Sequence, residues 1–564
     1  MTEFSSIRET AHRNDDDLLS AGLGLRGLRG LRGPAPRLSD TDMSDALLLR
    51  RLAIHSNWKG LVDLTATGGF AADDQLADAP GREFQAFATL DGRRQPVRML
   101  VQLPDSFDPE NPCLLVAPVS GSRGIYGALP VAAPWGLPRG CAIAYTDKGA
   151  GTDFFDHASD SGLALDGTRA RRGAQRLGFE PVPAAGPLVS IPHAHSGDNP
   201  EADWGLHTIE AARFGLMVLD RAFPQHAPFS PQRVRVIAVA ISNGGGAVLR
   251  ALEQADTGLF DAAVVAAPNI TVPGQRPLFD YASEAALFQP CLLADAEWLM
   301  KRPFGNPALV PLGRQRCSTL VEAGLLEQAE PAAARDVLEA GGFDADALEQ
   351  SAVNISLDVW RSVTAMYAAA YLRTPVSAMP CDFGVAALDD AGQPAVAGAS
   401  RARMWWATSS GVVPGGGLGW IDPRSAARPA DPAFPGLLCL RELWTGRHAQ
   451  AESLRTAVES TLATARLPDI PVLVIHGRQD GLIPAAFSSR PYVAAARAHG
   501  SRRIALWEVN GAQHFDVIVP VPGLSDRYRP LLPILWQGLD RTIEALDGRA
   551  SLGRDRVIEA IDPR

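Results

Sequence analysis

The sequence predicts an α/β fold with a mostly parallel sheet and helices on both of its faces. Short apolar segments bounded by Gly and Pro, typical of buried parallel strands, alternate with segments of helical periodicity. The balance of 46% hydrophobic and 21% charged residues over 564 residues is that of a globular protein. A third observation is the long stretch between Pro268 and Ile470, which separates two consecutive strands and indicates a large, partly helical inserted domain.

Residues 1–82 are expected to form an N-terminal arm and a leading segment. Here the pattern Gly22-x-Gly24-x-x-Gly27 matches a dinucleotide-binding fingerprint. It neither follows a strand nor opens a βαβ unit, so a flexible low-complexity arm is the better interpretation and no cofactor is expected.

Residues 83–269 are predicted to form the first part of the core. They begin with a hairpin over 83–104 that turns at Asp91-Gly92. A helix over 203–223 would place Leu206, Ile209, Ala212, Leu216 and Leu219 on one side. The remaining strands are expected at 113–120, 141–147, 233–241 and 260–268.

Residues 270–466 are predicted to form the insertion, a cap or lid over the carboxyl edge of the sheet, where ligands bind in open α/β folds. Segment 329–353 has helical character and segment 411–423 is rich in Gly and Pro. Six of the eleven tryptophans lie in this insertion, which suggests an aromatic pocket that admits a short chain and excludes a polymer surface. Residues 467–564 complete the core with strands at 470–477 and 503–509.

A nucleophile is predicted at Ser242, where the strand 233–241 meets three glycines. The turn from a strand into a helix needs small residues two positions before and after the nucleophile, and Ala240 and Gly244 satisfy that requirement. A phosphate-binding loop would need a Lys-Ser/Thr pair after the glycines, which this sequence lacks. A strand end with an idle serine is the remaining alternative.

Serine needs a histidine to remove its proton and an acid to orient that histidine. Asp480 and His514 follow Ser242 in the order of an α/β-hydrolase fold, each just after a predicted strand. We therefore expect Ser242, Asp480 and His514 to be catalytic. His476 precedes the acid at a strand end and is expected to be structural.

The loop after the third strand, 118–127, is expected to complete an oxyanion hole. Its backbone donors would come from Gly121 and Ser122, with Asn243 next to the nucleophile as the partner donor. An ordinary glycine-rich turn is the alternative for this loop. Arg123, Asp147 and Lys148 are candidate substrate-binding residues, and the charges near Asp147 could equally be solvated.

Several other classes of function are disfavoured. A formal net charge of −10 without a basic block argues against nucleic-acid binding, and no apolar segment is long enough to cross a membrane. His193 and His195 could bind a metal, but without a third ligand at a reliable spacing no metal is expected. Cys113 and Cys141 are expected to be core thiols, whereas Cys291 and Cys317 leave a disulfide open if the protein is exported.

Together these motifs make the sequence resemble the D-(−)-3-hydroxybutyrate oligomer hydrolases. The likeness is carried by the segments DDLLSAGLGL, VAPVSGSRGIYG, GCAIAYTDKGAGT, HAHSGDNPEADWG and VAISNGGGAVLRALE, and more loosely by FQPC and the segments around Asp480 and His514. The resemblance implies hydrolysis of short 3-hydroxybutyrate oligomers, chiefly dimers and trimers, with Ser242 as the nucleophile.

The compartment, the substrate and the oligomeric state are less well defined. The first residues, 1–22, show no secretory signal and predict a cytoplasmic protein, although the resemblance leaves a periplasmic or extracellular location open. A broader carboxylesterase of feruloyl-esterase or tannase type would share the same three catalytic residues. A noncatalytic binding protein on this fold is disfavoured, because it would normally have lost Ser, His or Asp. The oligomeric state is left open.

Overall fold

The computed structural model describes residues 3–29, 46–62, 78–398, 401–402, 405–408 and 410–559. An eleven-stranded sheet in the order β1-β3-β4-β6-β5-β11-β12-β16-β17-β18, with β2 paired to β3, organises these residues. Its strands are β1 Glu3–Phe4, β2 Arg8–His12, β3 Gly81–Thr89, β4 Val97–Pro104, β5 Cys113–Pro118, β6 Ala142–Thr146, β11 Arg235–Ile241, β12 Ala262–Ala266, β16 Val472–Gly477, β17 Ile504–Val509 and β18 Arg556–Ile558.

The sheet from β6 to β18 is parallel throughout, and β3 and β4 add an antiparallel pair at its side. The predicted hairpin is confirmed in the register Gly81↔Pro104 to Ala88↔Val97. Its connection is longer than a two-residue turn, because the strands end at Thr89 and resume at Val97. This strand order confirms the predicted α/β-hydrolase fold.

Helices cover both faces of the sheet. One face packs against α2 (Ala46–Leu61), α3 (Leu129–Gly136) and α17 (Leu532–Leu546), and the opposite face against α5 (Pro200–Ala222), α6 (Ser242–Gln254) and α16 (Ser489–Ala498). The apolar stripe predicted for α5 is buried at Ile209 and Leu219. It is wrong at Leu206, which is 37% exposed.

The stretch between β12 and β16 contains several helices, in agreement with the prediction of a partly helical insertion. Its helices are α7 Leu278–Leu292, α8 Ala296–Met300, α9 Val310–Glu322, α10 Pro331–Ala340, α11 Ala345–Leu348, α12 Ser351–Ser356, α13 Val359–Leu372, α14 Phe434–Thr445 and α15 Ala449–Glu459. A small sheet of β13 (Gly384–Leu388), β14 (Pro394–Ala395) and β15 (Leu418–Ile421) accompanies them. The boundaries 270–466 of a separate cap domain stay a prediction.

A second small sheet lies between β6 and α5. It consists of β7 Phe155–Asp156, β8 Ser161–Leu163, β9 Arg169–Arg171 and β10 Val189–Ser190. The short helix α4, Pro192–His195, follows β10 and leads toward α5. This segment therefore connects the sheet edge to the helix that packs beside the nucleophile.

The N-terminal residues are more ordered than the sequence predicts. Strands β1 and β2 pair with β3, and helix α1, Gly24–Arg29, buries Leu25 and Leu28 against the core. The interpretation of the first glycines as a flexible arm is thus wrong for residues 24–29, because the leucines between them have an apolar surface to cover. The rest of that repeat, residues 30–34, lies outside the described residues.

All six cysteines form disulfides: Cys113–Cys141, Cys291–Cys317 and Cys381–Cys439. The expectation of core thiols at Cys113 and Cys141 is therefore wrong. Neighbouring parallel strands place these two residues side by side at the start of β5 and just before β6, a proximity that the sequence separation conceals. Within the described ranges, no helix has the length and apolar character to cross a membrane.

Candidate active site

Ser242 lies at the tight turn between β11 and α6. Its φ angle is +56°, a left-handed conformation that is strained for a residue with a side chain and is typical of a nucleophile elbow. A Cβ atom on Gly244 would lie 2.5 Å from the carbonyl oxygen of Pro118, and one on Gly246 would lie 1.9 Å from that of Asn269. The glycines therefore allow α6 to start against neighbouring backbone.

Asp480 and His514 lie on the loops that follow β16 and β17. The parallel pairing of these strands brings both loops to the carboxyl edge of the sheet, beside Ser242. His514 Nε2 is 3.0 Å from the hydroxyl oxygen of Ser242, and His514 Nδ1 is 2.7 Å from Asp480 Oδ2. The structure thus joins the three residues in one continuous hydrogen-bonded chain.

The Asp480 carboxylate is fully buried and held on both oxygens. Its Oδ1 accepts hydrogen bonds from the backbone N–H groups of Leu482 and Ile483, at 3.0 and 2.8 Å. Burial alone would raise the pKa of Asp480, but the charge and hydrogen bond of His514, with a contribution from His476, lower it well below its usual value. Asp480 is therefore ionised at neutral pH and orients the Nδ1–H of His514.

His476 is buried at the end of β16, in the structural position that the sequence predicts. Its Nε2 lies 2.8 Å from the carbonyl oxygen of Ile483 and 3.5 Å from Asp480 Oδ2. His476 thus contacts Asp480, and none of its described contacts is with Ser242.

The predicted oxyanion residues lie around Ser242. Gly121, Ser122 and Asn243 line the same cavity as Ser242 and His514, and Gly121 has a φ angle of +50°. The Asn243 side chain donates to the Tyr367 hydroxyl and accepts from Asn269, each at 3.0 Å. Tyr367, from α13, is not predicted from the sequence, since nothing in the sequence connects α13 with Ser242.

The cavity has a volume of about 460 Å³ and a largely apolar wall. The stretch between β12 and β16 supplies one side of it, with Leu278, Leu357, Val359, Ser362, Val363, Met366, Tyr367, Ser410, Val412, Val413, Pro414 and Gly415. None of these residues is tryptophan, and Tyr367 is the aromatic side chain among them. Trp405, for example, packs inside the protein against Phe154. The hypothesis that the insertion admits a short chain and excludes a polymer surface stays a prediction.

The three candidate substrate-binding residues differ in position. Arg123 lines the cavity, half-buried, and its guanidinium donates to the carbonyl oxygen of Gly60 at 2.9 Å. Desolvation lowers the pKa of Arg123 to about 10, so it remains cationic at neutral pH. Neither Asp147 nor Lys148 lies on the cavity wall.

Asp147 and Lys148 instead lie below the site, on the loop after β6, and both are buried. Asp147 accepts backbone hydrogen bonds from Arg98 and Gly149, each at 3.1 Å, so it holds its own loop in place. Burial, together with the nearby Asp153, raises the pKa of Asp147 to about 7. The placement of both side chains in a substrate pocket is wrong, because the loop turns them inward.

His193 and His195 lie on the short helix α4. His193 Nδ1 is 2.7 Å from the Ser122 hydroxyl, and His195 Nδ1 accepts from the backbone N–H of Ile191 at 2.9 Å. Burial lowers the pKa of each to about 3, so both are neutral. Among the described residues, no three His, Cys, Asp or Glu side chains are grouped as metal ligands would be.

Comparisons with known proteins agree on one family. A sequence model of the 3HB-oligomer hydrolases matches residues 2–564. A D-(−)-3-hydroxybutyrate oligomer hydrolase of Burkholderia mallei is 35% identical over 99% of this chain and 88% of its own. The protein of the same name from Paracidovorax citrulli is 34% identical over 97% of this chain and 87% of its own.

Solved structures with a similar chain course include two fungal esterases. Feruloyl esterase B from Aspergillus oryzae has a TM-score of 0.39 and 10% identity, covering 98% of this chain and 88% of that one. Tannin acyl hydrolase from Aspergillus niger has a TM-score of 0.38 and 13% identity, covering 84% and 80%. These values are too low to indicate a shared substrate. The match of the family model along the chain, and the identity to relatives of one name, show that the chain belongs to the 3HB-oligomer hydrolase family.

Proposed function

We propose that this protein hydrolyses the ester bonds of short (R)-3-hydroxybutyrate oligomers through an acyl-enzyme on Ser242. The observation that carries this proposal is the chain Asp480–His514–Ser242, which ends in a cavity of about 460 Å³. A cavity of this size suits a small-molecule ester. The names of the relatives, 3-hydroxybutyrate oligomer hydrolases, support the choice of ester.

In the first half-reaction His514 acts as the general base. Asp480 accepts the Nδ1–H of His514, so the Nε2 lone pair faces the Ser242 hydroxyl. Nε2 takes the serine proton as Oγ attacks the ester carbonyl carbon. The tetrahedral intermediate then collapses, and the departing 3-hydroxybutyrate alkoxide takes that proton from His514.

In the second half-reaction water replaces the leaving alcohol. His514 removes a proton from the water, which attacks the acyl carbon, and Ser242 is released with its proton restored. In both steps the oxyanion would accept hydrogen bonds from backbone N–H groups of the loop 121–122 and of Asn243. The position of all three residues at the cavity supports this role.

The free carboxylate of a hydroxybutyrate dimer is the feature that separates it from simple esters. Arg123 places a cationic guanidinium on the otherwise mostly apolar cavity wall, directly after Ser122. A guanidinium pairs well with a carboxylate in such surroundings. Arg123 would therefore hold the end of a short oligomer and favour cleavage next to that end.

A substrate pair tests this assignment. Replacing Arg123 with Met should raise KM for the hydroxybutyrate dimer acid by about tenfold or more, because a charge-assisted hydrogen bond contributes ~1.5–3 kcal/mol. It should leave KM for the methyl ester of the same dimer within about twofold. An equal change for both substrates would contradict a carboxylate contact.

Monomer release from purified dimer, trimer and polymer tests the function as a whole. We expect dimer and trimer to be cleaved and the solid polymer to be left intact. Ser242→Ala should lower turnover by about 10⁴-fold or more with little loss of folding. Faster turnover of feruloyl or galloyl esters than of the dimer would favour the broader carboxylesterase, and no turnover of any ester would favour a binding protein.

Three disulfides indicate where the protein folds. Disulfides form and persist in oxidising compartments and are rare in the cytosol of mesophiles. The pairs Cys113–Cys141, Cys291–Cys317 and Cys381–Cys439 account for every cysteine of the chain. We therefore propose an oxidising compartment in place of the cytoplasmic location that the sequence predicts.

A further inference from the structure

Lys148 is a buried ammonium directly behind the oxyanion loop. The side chain is 0% exposed, and its Nζ donates a hydrogen bond of 2.5 Å to the carbonyl oxygen of Gly121. On another side the ammonium lies 4.8 Å from the centre of the Trp204 ring. Among the described residues, no carboxylate lies within salt-bridge distance of it.

The hydrogen bond to Gly121 has a geometric consequence one atom further along the chain. The carbonyl of Gly121 and the N–H of Ser122 belong to the same planar trans peptide, so they point in opposite directions. Because Lys148 Nζ holds the carbonyl oxygen, the N–H of Ser122 is directed away from Lys148, which does not lie on the cavity wall. Ser122 lines that cavity together with Ser242.

Other contacts hold the same loop at atoms outside this peptide. The carbonyl oxygen of Ser122 accepts from the backbone N–H of Gly411 at 2.5 Å, and its hydroxyl contacts His193. Gly121 has a φ angle of +50° and no side chain, so its own conformation sets little resistance to a flip of the peptide. Among the described residues, Lys148 is the side chain that donates to the carbonyl oxygen of Gly121.

The free-energy cost of burying the Lys148 ammonium indicates that this side chain has a role besides packing. Removing an ammonium from water costs several kcal/mol unless a counter-charge compensates it. Burial lowers the pKa of Lys148 to about 7, although Asp147 and Glu201 raise it and Arg123 lowers it further. The buried neighbours His193 and His207 are neutral, each with a pKa lowered by burial.

We propose that Lys148 is a positioning residue of the oxyanion hole, which orients and polarises the Gly121–Ser122 peptide so that the Ser122 N–H stabilises the transition state. When Lys148 is protonated, its positive charge at the carbonyl end strengthens the dipole of that peptide, and hence its N–H as a donor. This inference rests on the proposed serine mechanism. It replaces the earlier expectation that Lys148 contacts the substrate.

The test compares Lys148→Met with the matched control Lys301→Met, which removes an exposed lysine paired with Glu297. Methionine has nearly the length of lysine without its charge. We expect kcat of Lys148→Met to fall by about 10- to 100-fold, below the ~10²–10³ of a donor lost outright. KM should stay within about threefold. The fall should be the same for the hydroxybutyrate dimer acid and for neutral p-nitrophenyl butyrate, since every ester uses the same oxyanion hole.

Two further readouts separate positioning from a structural role. Since no described carboxylate forms an ion pair with Lys148, replacing this buried charge with an apolar side chain should leave Tm unchanged or raise it. The affinity for butylboronic acid, whose tetrahedral adduct on Ser242 uses the oxyanion hole, should fall by the same factor as kcat. Lys301→Met should change none of these values.

Several results would overturn the proposal. A folded Lys148→Met with kcat within twofold of the unmodified enzyme would do so, as would a loss confined to the dimer acid. A variant that fails to fold, or loses Tm along with activity, would make Lys148 a structural residue. Ser242→Ala measured in parallel separates a failure of this proposal from a failure of the serine mechanism, because activity retained in Ser242→Ala would refute the serine mechanism itself.

Discussion

The substitution Asp480→Asn tests the proposed mechanism most directly. The backbone N–H groups of Leu482 and Ile483 both donate to Oδ1, so an asparagine must place its carbonyl oxygen there. Its NH₂ group then faces His514 Nδ1, at the position of Oδ2. An NH₂ donor forces Nδ1 to be the acceptor and moves the imidazole proton to Nε2.

The size of the effect follows from this change of tautomer. With a proton on Nε2, His514 cannot accept the proton of Ser242 across the 3.0 Å contact. The corresponding change in a serine protease lowers kcat by about 10⁴-fold, which corresponds to ~5.4 kcal/mol of transition-state stabilisation. We expect a loss of this order here, with the volume of the side chain unchanged.

The assay is steady-state hydrolysis of the hydroxybutyrate dimer at neutral pH, with circular dichroism to establish folding. Asp540→Asn is the matched control, because Asp540 is an exposed aspartate bound to Arg139 at the surface. It should retain full activity. A folded Asp480→Asn variant within about tenfold of the unmodified kcat would refute the assignment of Asp480 as the acid that orients His514.

Three further predictions concern stability and covalent structure. Gly246→Ala should fail to fold or lose several degrees in Tm, because its Cβ would overlap the carbonyl oxygen of Asn269; a normal melting curve would contradict this close approach. Burial raises the pKa of Glu83, but the charge of Arg50 more than offsets this, and the pKa falls to about 2. The stability that ionised Glu83 contributes should therefore be lost as pH falls from about 4.5 to 2, so the difference in unfolding free energy between the unmodified protein and Glu83→Gln should close in urea titrations. A constant difference would contradict this. Thiol titration of the unfolded, unreduced protein should detect no free cysteine, and six after reduction; any free thiol before reduction would contradict the pairing.

The strands and the order of the three candidate catalytic residues could be predicted because their signals are local. Apolar runs between Gly and Pro show where β5, β6, β11, β12, β16 and β17 lie to within a few residues. Small residues around Ser242 follow from steric crowding at one turn. Because parallel strands end at a common edge, the order of Ser242, Asp480 and His514 along the chain then predicts their proximity.

Contacts between distant segments could not be predicted in this way. Cys113 and Cys141 look like core thiols until the register of β5 and β6 places them opposite each other. The GLRG repeat looks like a flexible arm, yet Leu25 and Leu28 find an apolar surface on the core. In each case the missing information is which distant surface covers a short segment.

For the candidate active site, the chain order and the local sterics around Ser242 are enough to predict which three residues come together. The chain fold was needed to place the charges around it. Arg123 and Lys148 look alike in sequence, as cations on loops after neighbouring strands. Folding places Arg123 on the cavity wall and turns Lys148 beneath the oxyanion loop, because the direction of a side chain depends on backbone angles such as the φ of +48° at Lys148.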